Sequence, residues 1–294
     1  MQPLPTDLRS GAEIEDADPR LVERSQDLAV EAIRIAGKSA DPEAVLRKWA
    51  CAILRDTKQF RPPVSILAVT KRLAAEICQM DLPNTARLLY QPGRIRILAN
   101  ERASESERRF AIAHECGHIM FYKAAEIAFP DDENTRKGIA RWGDSDRQER
   151  LCDSVAEDLL VPKTWLQRDL QRETCWNMAL AQRLSAAYGV TLEIVLRRLV
   201  AIGLPCIVFK WEFKARPGSV EKLRLAAVWE SRRHSRFVPL HKPAPENSVV
   251  YTVYDTGLPA KKVEYGYYFG HSTNRLIDAT PTENGVLALV KLGT

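Results

Sequence analysis

The feature that most constrains this chain is a pair of histidines one helical turn apart in the segment RRFAIAHECGHIMFY. His114 and His118 stand at positions i and i+4, so a helix through this segment places both imidazoles on one face. Two imidazoles at this spacing can bind one metal ion, and Glu115 between them can address a water molecule at that ion. Zinc-activated attack of water on an amide routinely uses this arrangement. We therefore expect a metal-binding helix over about residues 104–123.

A catalytic zinc site normally has three protein ligands, so the chain must supply a third. Glu149 in the segment QERLCDSVAEDLLVP begins a second helical pattern, and Asp153 follows one turn later on the same face. Glu149 can then bind the metal while Asp153 accepts a hydrogen bond from the outer ring nitrogen of a ligating histidine. Further carboxylates remain alternatives for the third ligand, namely Glu157, Asp158, Asp146 and Asp144.

Together the two motifs resemble those of the ImmA/IrrE family of metallopeptidases. That family shares an Arg-Phe-x-x-AHE-x-GH helix and a downstream E-x-x-A-[ND]-x-x-A-x-x-L-L-x-P helix, and the resemblance covers roughly residues 62–170. It implies that His114, His118 and Glu149 bind one Zn²⁺ ion and that Glu115 is the catalytic base. The implied fold is α+β, with a mainly helical zincin-like core and a small β-hairpin or sheet.

The chain departs from the family pattern at two positions of the second helix. Cys152 stands where alanine is usual, and Val155 stands where phenylalanine is common. Both residues suit apolar packing. We therefore expect Cys152, like Cys116 beside the first motif, to pack between helices and not to bind the metal.

The resemblance also implies a reaction and a partner. The reaction is endoproteolysis, in which Glu115 acts first as general base and then as general acid, and the protein substrate is a helix–turn–helix transcriptional repressor. Tyr122 and His271 are candidates for stabilising the developing oxyanion. The alternative is a non-catalytic transcriptional regulator or partner-binding protein with a structural or vestigial metal site.

Composition and periodicity divide the chain into four regions. Residues 1–18 read as a disordered N-terminus, and residues 19–172 as the metallopeptidase domain. Residues 173–204 form a helix–turn–helix-like segment with Gly189 in the turn. Residues 205–294 are rich in strand patterns and form an accessory domain. A GAF-like sensor domain, which some members of the resembling family carry at this place, is one candidate for it.

Periodicity also predicts the individual elements. The helical patterns are 19–37, 42–57, 62–80, 104–123, 147–160, 163–171 and two helices within 178–203. The segments ARLLY and RIRILA form a hairpin, and residues 124–146 read as a long loop. In the last region the strand patterns are IVFKWEF, LRLAAVW, SVVYTVYD, VEYGYYF, RLIDA and VLALVKL.

Charge and cysteine usage bear on partners and compartment. The net charge is +5, and residues 205–294 carry all of the surplus, with 13 Lys/Arg against 8 Asp/Glu. This charge permits nucleic-acid binding, but a basic surface exposed to solvent is the simpler interpretation. The helix–turn–helix-like residues 178–203 carry only three Arg and one Glu, which is a weak basic patch for DNA binding. The six cysteines are scattered without a CxxC pair, and the sequence shows neither a signal-peptide pattern nor an apolar run of membrane-spanning length. We expect a cytoplasmic protein that does not enter a membrane.

Overall fold

The computed structural model describes residues 19–91, 94–142, 145–173, 175–214, 221–231, 240–265 and 274–292. These residues form two compact units. The first unit comprises the described residues up to Phe60 and from Val64 to Leu160, and the second comprises 61–63 and the described residues from Val161 onward. The predicted disorder of residues 1–18 and the candidates Asp144 and His271 fall outside the described residues. The mixture of helices and two sheets confirms the α+β prediction.

The first unit combines helices with a three-stranded sheet. Its elements in chain order are α1 (Pro19–Gly37), α2 (Pro42–Asp56), α3 (Ile66–Arg72), β1 (Ala75–Met80), β2 (Ala86–Gln91), β3 (Arg94–Asn100), α4 (Glu105–Ala128), α5 (Glu133–Trp142) and α6 (Asp146–Leu160). Helix α4 begins where the sequence predicts, because Ser104 and Glu107 form a reciprocal capping box. Helix α6 follows Ser145, whose hydroxyl accepts a hydrogen bond from the backbone N–H of Gln148.

The sheet of the first unit has the order β1-β3-β2. Strands β2 and β3 are antiparallel, as the predicted hairpin requires, whereas β1 runs parallel to β3 with Ile77 opposite Ile97. Helix α4 contacts both β2 and β3. On one side Tyr90 of β2 packs against Tyr122 of α4, with ring centroids 4.9 Å apart. The sheet therefore supports the helix that carries the histidine pair.

Helices α4 and α6 cross closely because a glycine stands at their contact. A Cβ atom added to Gly117 would lie 2.8 Å from the Cα of Cys152, which is closer than real Cβ contacts allow. Cys116, Cys152 and Val155 are fully or almost fully buried around this crossing. The predicted packing role of the two cysteines agrees with this burial. The crossing fixes the position of Glu149, one turn before Cys152, relative to the histidines of α4.

The second unit contains a five-stranded antiparallel sheet of order β5-β4-β8-β7-β6. Its elements are α7 (Lys163–Leu170), α8 (Met178–Tyr188), α9 (Leu192–Ala201), β4 (Cys206–Lys214), β5 (Lys222–Glu230), α10 (Val249–Thr256), β6 (Ala260–Tyr265), β7 (Asn274–Thr282) and β8 (Gly285–Lys291). Trp211 and Phe209 of β4 are fully buried in the core of this unit, which α10 covers with Val250. Helices α8 and α9 are separated by Gly189 at φ 63°, as the sequence predicts.

Three element predictions are wrong. The helical pattern of residues 62–80 becomes α3 and then strand β1, because pairing with β3 outweighs the helix propensity of Ala, Glu and Met. Residues 124–146 are not one long loop, since α4 continues to Ala128 and α5 follows. The β-branched segment SVVYTVYD is helix α10, which Ser248 caps and Gly257 ends in the left-handed conformation.

Candidate metal centre

The site lies where the middle of α4 faces the first two turns of α6. The α4 histidines stand one turn apart, and their side chains are 18% and 8% exposed for His114 and His118. From α6 come Glu149 and Asp153, whose side chains are 47% and 36% exposed. The structure thus brings together the four residues that the sequence analysis assigned to the ligands and to the orienting carboxylate. The site opens towards solvent on the side of Glu149.

Donor atoms of three side chains meet at one point of this site. His114 Nε2 lies 3.2 Å from His118 Nε2 and 3.1 Å from Glu149 Oε2. His118 Nε2 lies 3.3 Å from Glu149 Oε1. Two imidazole nitrogens and a carboxylate therefore converge at one point.

The outer nitrogens of both imidazoles are held by residues of α6. His114 Nδ1 lies 2.9 Å from Asp153 Oδ1. His118 Nδ1 lies 3.3 Å from Nε2 of Gln148, a residue that the sequence analysis did not single out. The signal for Gln148 was present, because it opens the buried stripe of α6 that continues with Cys152, Val155 and Leu159. A glutamine in an otherwise apolar stripe indicates a polar partner.

The charges of the site favour a cation between the two carboxylates. Burial lowers the pKa of His114, but hydrogen bonds to Asp153 and Glu149, together with their negative charges, outweigh burial and raise this pKa to about 10. The hydrogen bond from His114 lowers the pKa of Glu149, although burial opposes the shift. In the metal-free chain a proton on His114 therefore balances the carboxylates that flank it.

This donor set fits a small divalent metal ion. Two histidine nitrogens and one carboxylate oxygen form a typical ligand set of catalytic zinc. Tetrahedral ligands at bond lengths of about 2.0–2.2 Å lie about 3.3–3.6 Å from one another. The three separations between the donor atoms, 3.1, 3.2 and 3.3 Å, are close to that range. His114, His118 and Glu149 are thus the residues that would hold the ion.

Cys152 is a second candidate for the third ligand. Donor atoms of Cys152, His114 and His118 all lie within 4.8 Å of one another. The Glu149 oxygens are nearer to both histidines, at 3.1 and 3.3 Å, and Cys152 is fully buried against Gly117 in the crossing of α4 and α6. These distances favour Glu149 over Cys152 as the third ligand, and the burial of Cys152 suits packing beside the site.

The remaining candidates have other surroundings. Glu115 follows His114 on α4 and is partly buried. Asp158 is buried, with Arg47 Nε 3.4 Å from its carboxylate, and Asp146 is exposed at the start of α6. Tyr122 is buried against Tyr90. Glu149 is the candidate whose oxygens lie within 3.1–3.3 Å of Nε2 of both histidines.

Two arginines of the helix–turn–helix-like segment are engaged within the second unit. Arg198 of α9 is buried and donates a hydrogen bond to the backbone carbonyl of Val161 at 3.1 Å. The guanidinium of Arg197 lies over the ring of Trp229, 5.9 Å from its centroid. The basic residues that could read DNA from this helix are therefore used in packing.

Comparisons with known proteins bear on the family and on the fold. Residues 70–200 match the model of the family Peptidase_M78, described as the IrrE N-terminal-like domain, and this match confirms the resemblance predicted from the two motifs. No curated protein is a significant match to the sequence. A solved structure named "Mycobacterium tuberculosis transcriptional regulator" is similar with a TM-score of 0.53 and 15% identity, over 93% of this chain and 81% of its own. At that identity the likeness concerns the fold alone.

Among the described residues, no helix combines the length and the apolar character that crossing a membrane requires.

Proposed function

We propose that this chain, whose residues 70–200 belong to the IrrE N-terminal-like family of peptidases, is a zinc-dependent endopeptidase. The observation that carries the proposal is the convergence of His114, His118 and Glu149, whose donor atoms lie 3.1–3.3 Å from one another. A hydrolytic zinc site needs both a three-residue ligand set and an opening towards solvent.

Each residue has a separate task in the reaction. His114, His118 and Glu149 would hold the zinc ion, which would supply Lewis-acid chemistry for the scissile carbonyl and for water. Glu115 accepts a proton from the attacking water and delivers it to the leaving amine. Asp153 holds His114 Nδ1 at 2.9 Å, which keeps Nε2 of the same ring directed at the ligand cluster.

The proposed substrate is a helix–turn–helix transcriptional repressor, cleaved in the cytoplasm during a regulatory or stress response. The support for this substrate is the family resemblance of the two active-site helices. We also propose that the strand-rich part of the chain is an accessory domain, with sensing of a signal as its task. Cleavage of the repressor would then relieve repression without direct contact between this chain and DNA.

The alternative is a transcriptional regulator whose metal site is structural. A similar solved structure is named a transcriptional regulator, but at 15% identity that likeness concerns the fold alone and favours neither function. The engagement of Arg198 with Val161 and of Arg197 with Trp229 disfavours DNA reading by α9. The alternative predicts strongly salt-dependent DNA binding by the purified protein, because phosphate contacts release counterions.

The test of the proposal is the appearance of new protein N-termini. Soluble lysate of the source organism is incubated with zinc-loaded wild type or with Glu115→Gln, and new N-termini are labelled and sequenced by mass spectrometry. We expect new termini with wild type that disappear with Glu115→Gln or with a chelator. Glu126→Gln is a matched control, because Glu126 lies on the same helix, is exposed and contacts Tyr90.

The control variant should cleave like wild type, and Glu115→Gln should retain the zinc content of wild type. Equal cleavage by wild type and Glu115→Gln would show that Glu115 is not the base. Absence of new termini with wild type, together with tight DNA binding, would favour the regulator.

A further inference from the structure

Gln148 is a fully buried polar residue in the first turn of α6. Its side chain is completely shielded from solvent, and its Nε2 atom lies 3.3 Å from His118 Nδ1. The other end of the amide, Oε1, is buried and accepts no hydrogen bond from any described residue. The hydrogen bond to His118 is therefore the contact that offsets the cost of burying this amide.

Neighbouring residues of α6 show that this position favours an apolar side chain. Cys152, Val155 and Leu159 continue the stripe from Gln148 and are fully or almost fully buried. An aliphatic residue would fill the first position of the stripe without leaving a polar atom unsatisfied. Packing therefore does not explain why a glutamine stands at position 148.

We propose that Gln148 is the positioning residue for His118, as Asp153 is for His114. The proposal rests on the metal centre proposed above and assigns to the chain a second orienting contact. Helix α6 then supplies both the third ligand and the partners that fix the two imidazole rings of α4. A displacement of α6 would disturb all three contacts together.

The chemistry of an amide suits both states of His118. A histidine that binds metal through Nε2 carries its proton on Nδ1, and this N–H needs an acceptor. In the metal-free chain His118 Nε2 lies 3.3 Å from a Glu149 oxygen, which would accept a proton from it, and 3.2 Å from His114 Nε2, which would donate one to it, so His118 Nδ1 is an acceptor in one arrangement and a donor in the other. Rotation of the Gln148 amide by a half turn exchanges its donor for its acceptor, so one side chain serves both tautomers.

A neutral orienting group also limits the negative charge of the site. Glu149 and Asp153 already place two carboxylates beside His114, at 3.1 and 2.9 Å. A carboxylate at position 148 would add a third negative charge behind His118. That charge would raise the affinity of the site for the cation but reduce the electrophilicity of the cation towards a carbonyl. Glutamine orients His118 without this added charge.

The test measures zinc affinity by competition with a chromophoric chelator for wild type, Gln148→Met and Gln148→Glu. Methionine keeps the length of the side chain but removes the hydrogen bond, so we expect the affinity to fall about ten- to hundredfold. Glutamate restores an acceptor, so we expect an affinity at least equal to that of wild type. Gln59→Met is the control, because Gln59 bonds Thr57 and Ser65 in the same unit; its zinc affinity should not change.

Metal-free thermal unfolding separates positioning from a structural role. A merely structural glutamine would make metal-free Gln148→Met less stable while leaving the zinc affinity of the folded protein unchanged. That result would overturn the proposal, and so would a loss of affinity in Gln148→Glu as large as that in Gln148→Met. Wild type that binds no zinc would overturn the metal centre and this inference together.

A second measurement follows the His118 ring itself. Nitrogen-15 NMR of zinc-loaded wild type should show a proton on His118 Nδ1 whose resonance is shifted downfield by its hydrogen bond to Gln148, and Gln148→Met should remove that shift. The same Nδ1–H resonance in wild type and Gln148→Met would contradict the inference while the metal centre stands. A proton on Nε2 of His118 in the zinc-loaded protein would overturn the ligand role of His118 and the inference with it.

Discussion

Substitution of Gly117 by alanine should separate the two helices that form the metal centre. The added Cβ would lie 2.8 Å from Cys152 Cα and 3.0 Å from both Cys152 Cβ and Sγ, whereas ordinary contact begins at 3.4 Å. The nearest of these atoms belongs to the backbone of α6, so a side-chain rotation cannot relieve the overlap. Helix α6 must shift by about 0.6 Å or more, which exceeds the tolerance of about 0.2 Å in metal–ligand distances.

The two consequences of this shift differ in size. Overpacking lowers the free energy of unfolding by about 1–3 kcal/mol. The better helix propensity of alanine raises it by about 1 kcal/mol. The free energy of unfolding of the metal-free protein should therefore change by at most about 2 kcal/mol. The zinc affinity should fall at least about tenfold, since Glu149 moves with α6 relative to the two histidines.

The assay pairs chelator competition with urea unfolding of the metal-free protein. Gly117→Ala combined with Cys152→Ala is the informative control, because it removes Sγ but leaves the clash with Cys152 Cα. The double variant should recover only part of the zinc affinity. Wild-type zinc affinity in Gly117→Ala would refute the argument that close approach of α4 and α6 sets the ligand geometry.

Three further predictions concern other parts of the same account. Glu149→Ala should lose zinc affinity by orders of magnitude while Cys152→Ala keeps it, as measured by metal content after dialysis; the reverse order would make the thiol the third ligand. Cys51 is exposed and should react with a thiol reagent at pH 8, whereas Cys206 should be protected until unfolding, because burial raises its pKa to about 12; equal labelling rates would contradict this. Ser104→Ala removes the capping box of α4 and should lower the free energy of unfolding by about 1 kcal/mol in urea, a loss that an unchanged midpoint would exclude.

The sequence was sufficient for the local features of the site. The spacing of His114 and His118 and the position of Asp153 relative to Glu149 both follow from helical periodicity, and the structure contains both. These features depend on residues within one or two turns of each other. Short-range patterns of this kind are determined by the chain locally.

The features that the sequence did not predict depend on contacts between distant segments. Strand β1 contains helix-forming residues and is held extended by β3, and α10 contains strand-forming residues but has a serine cap and a glycine end. The role of Gln148 also becomes visible only when α6 is packed against α4. Tertiary pairing outweighs intrinsic propensity in such segments.

The most direct test of the metal centre is anomalous X-ray diffraction from crystals of zinc-loaded Glu115→Gln. We predict one zinc peak per chain, bound by Nε2 of His114, Nε2 of His118 and a Glu149 oxygen at about 2.0–2.2 Å. A peak bound by Cys152 Sγ, or no peak between α4 and α6, would contradict the account.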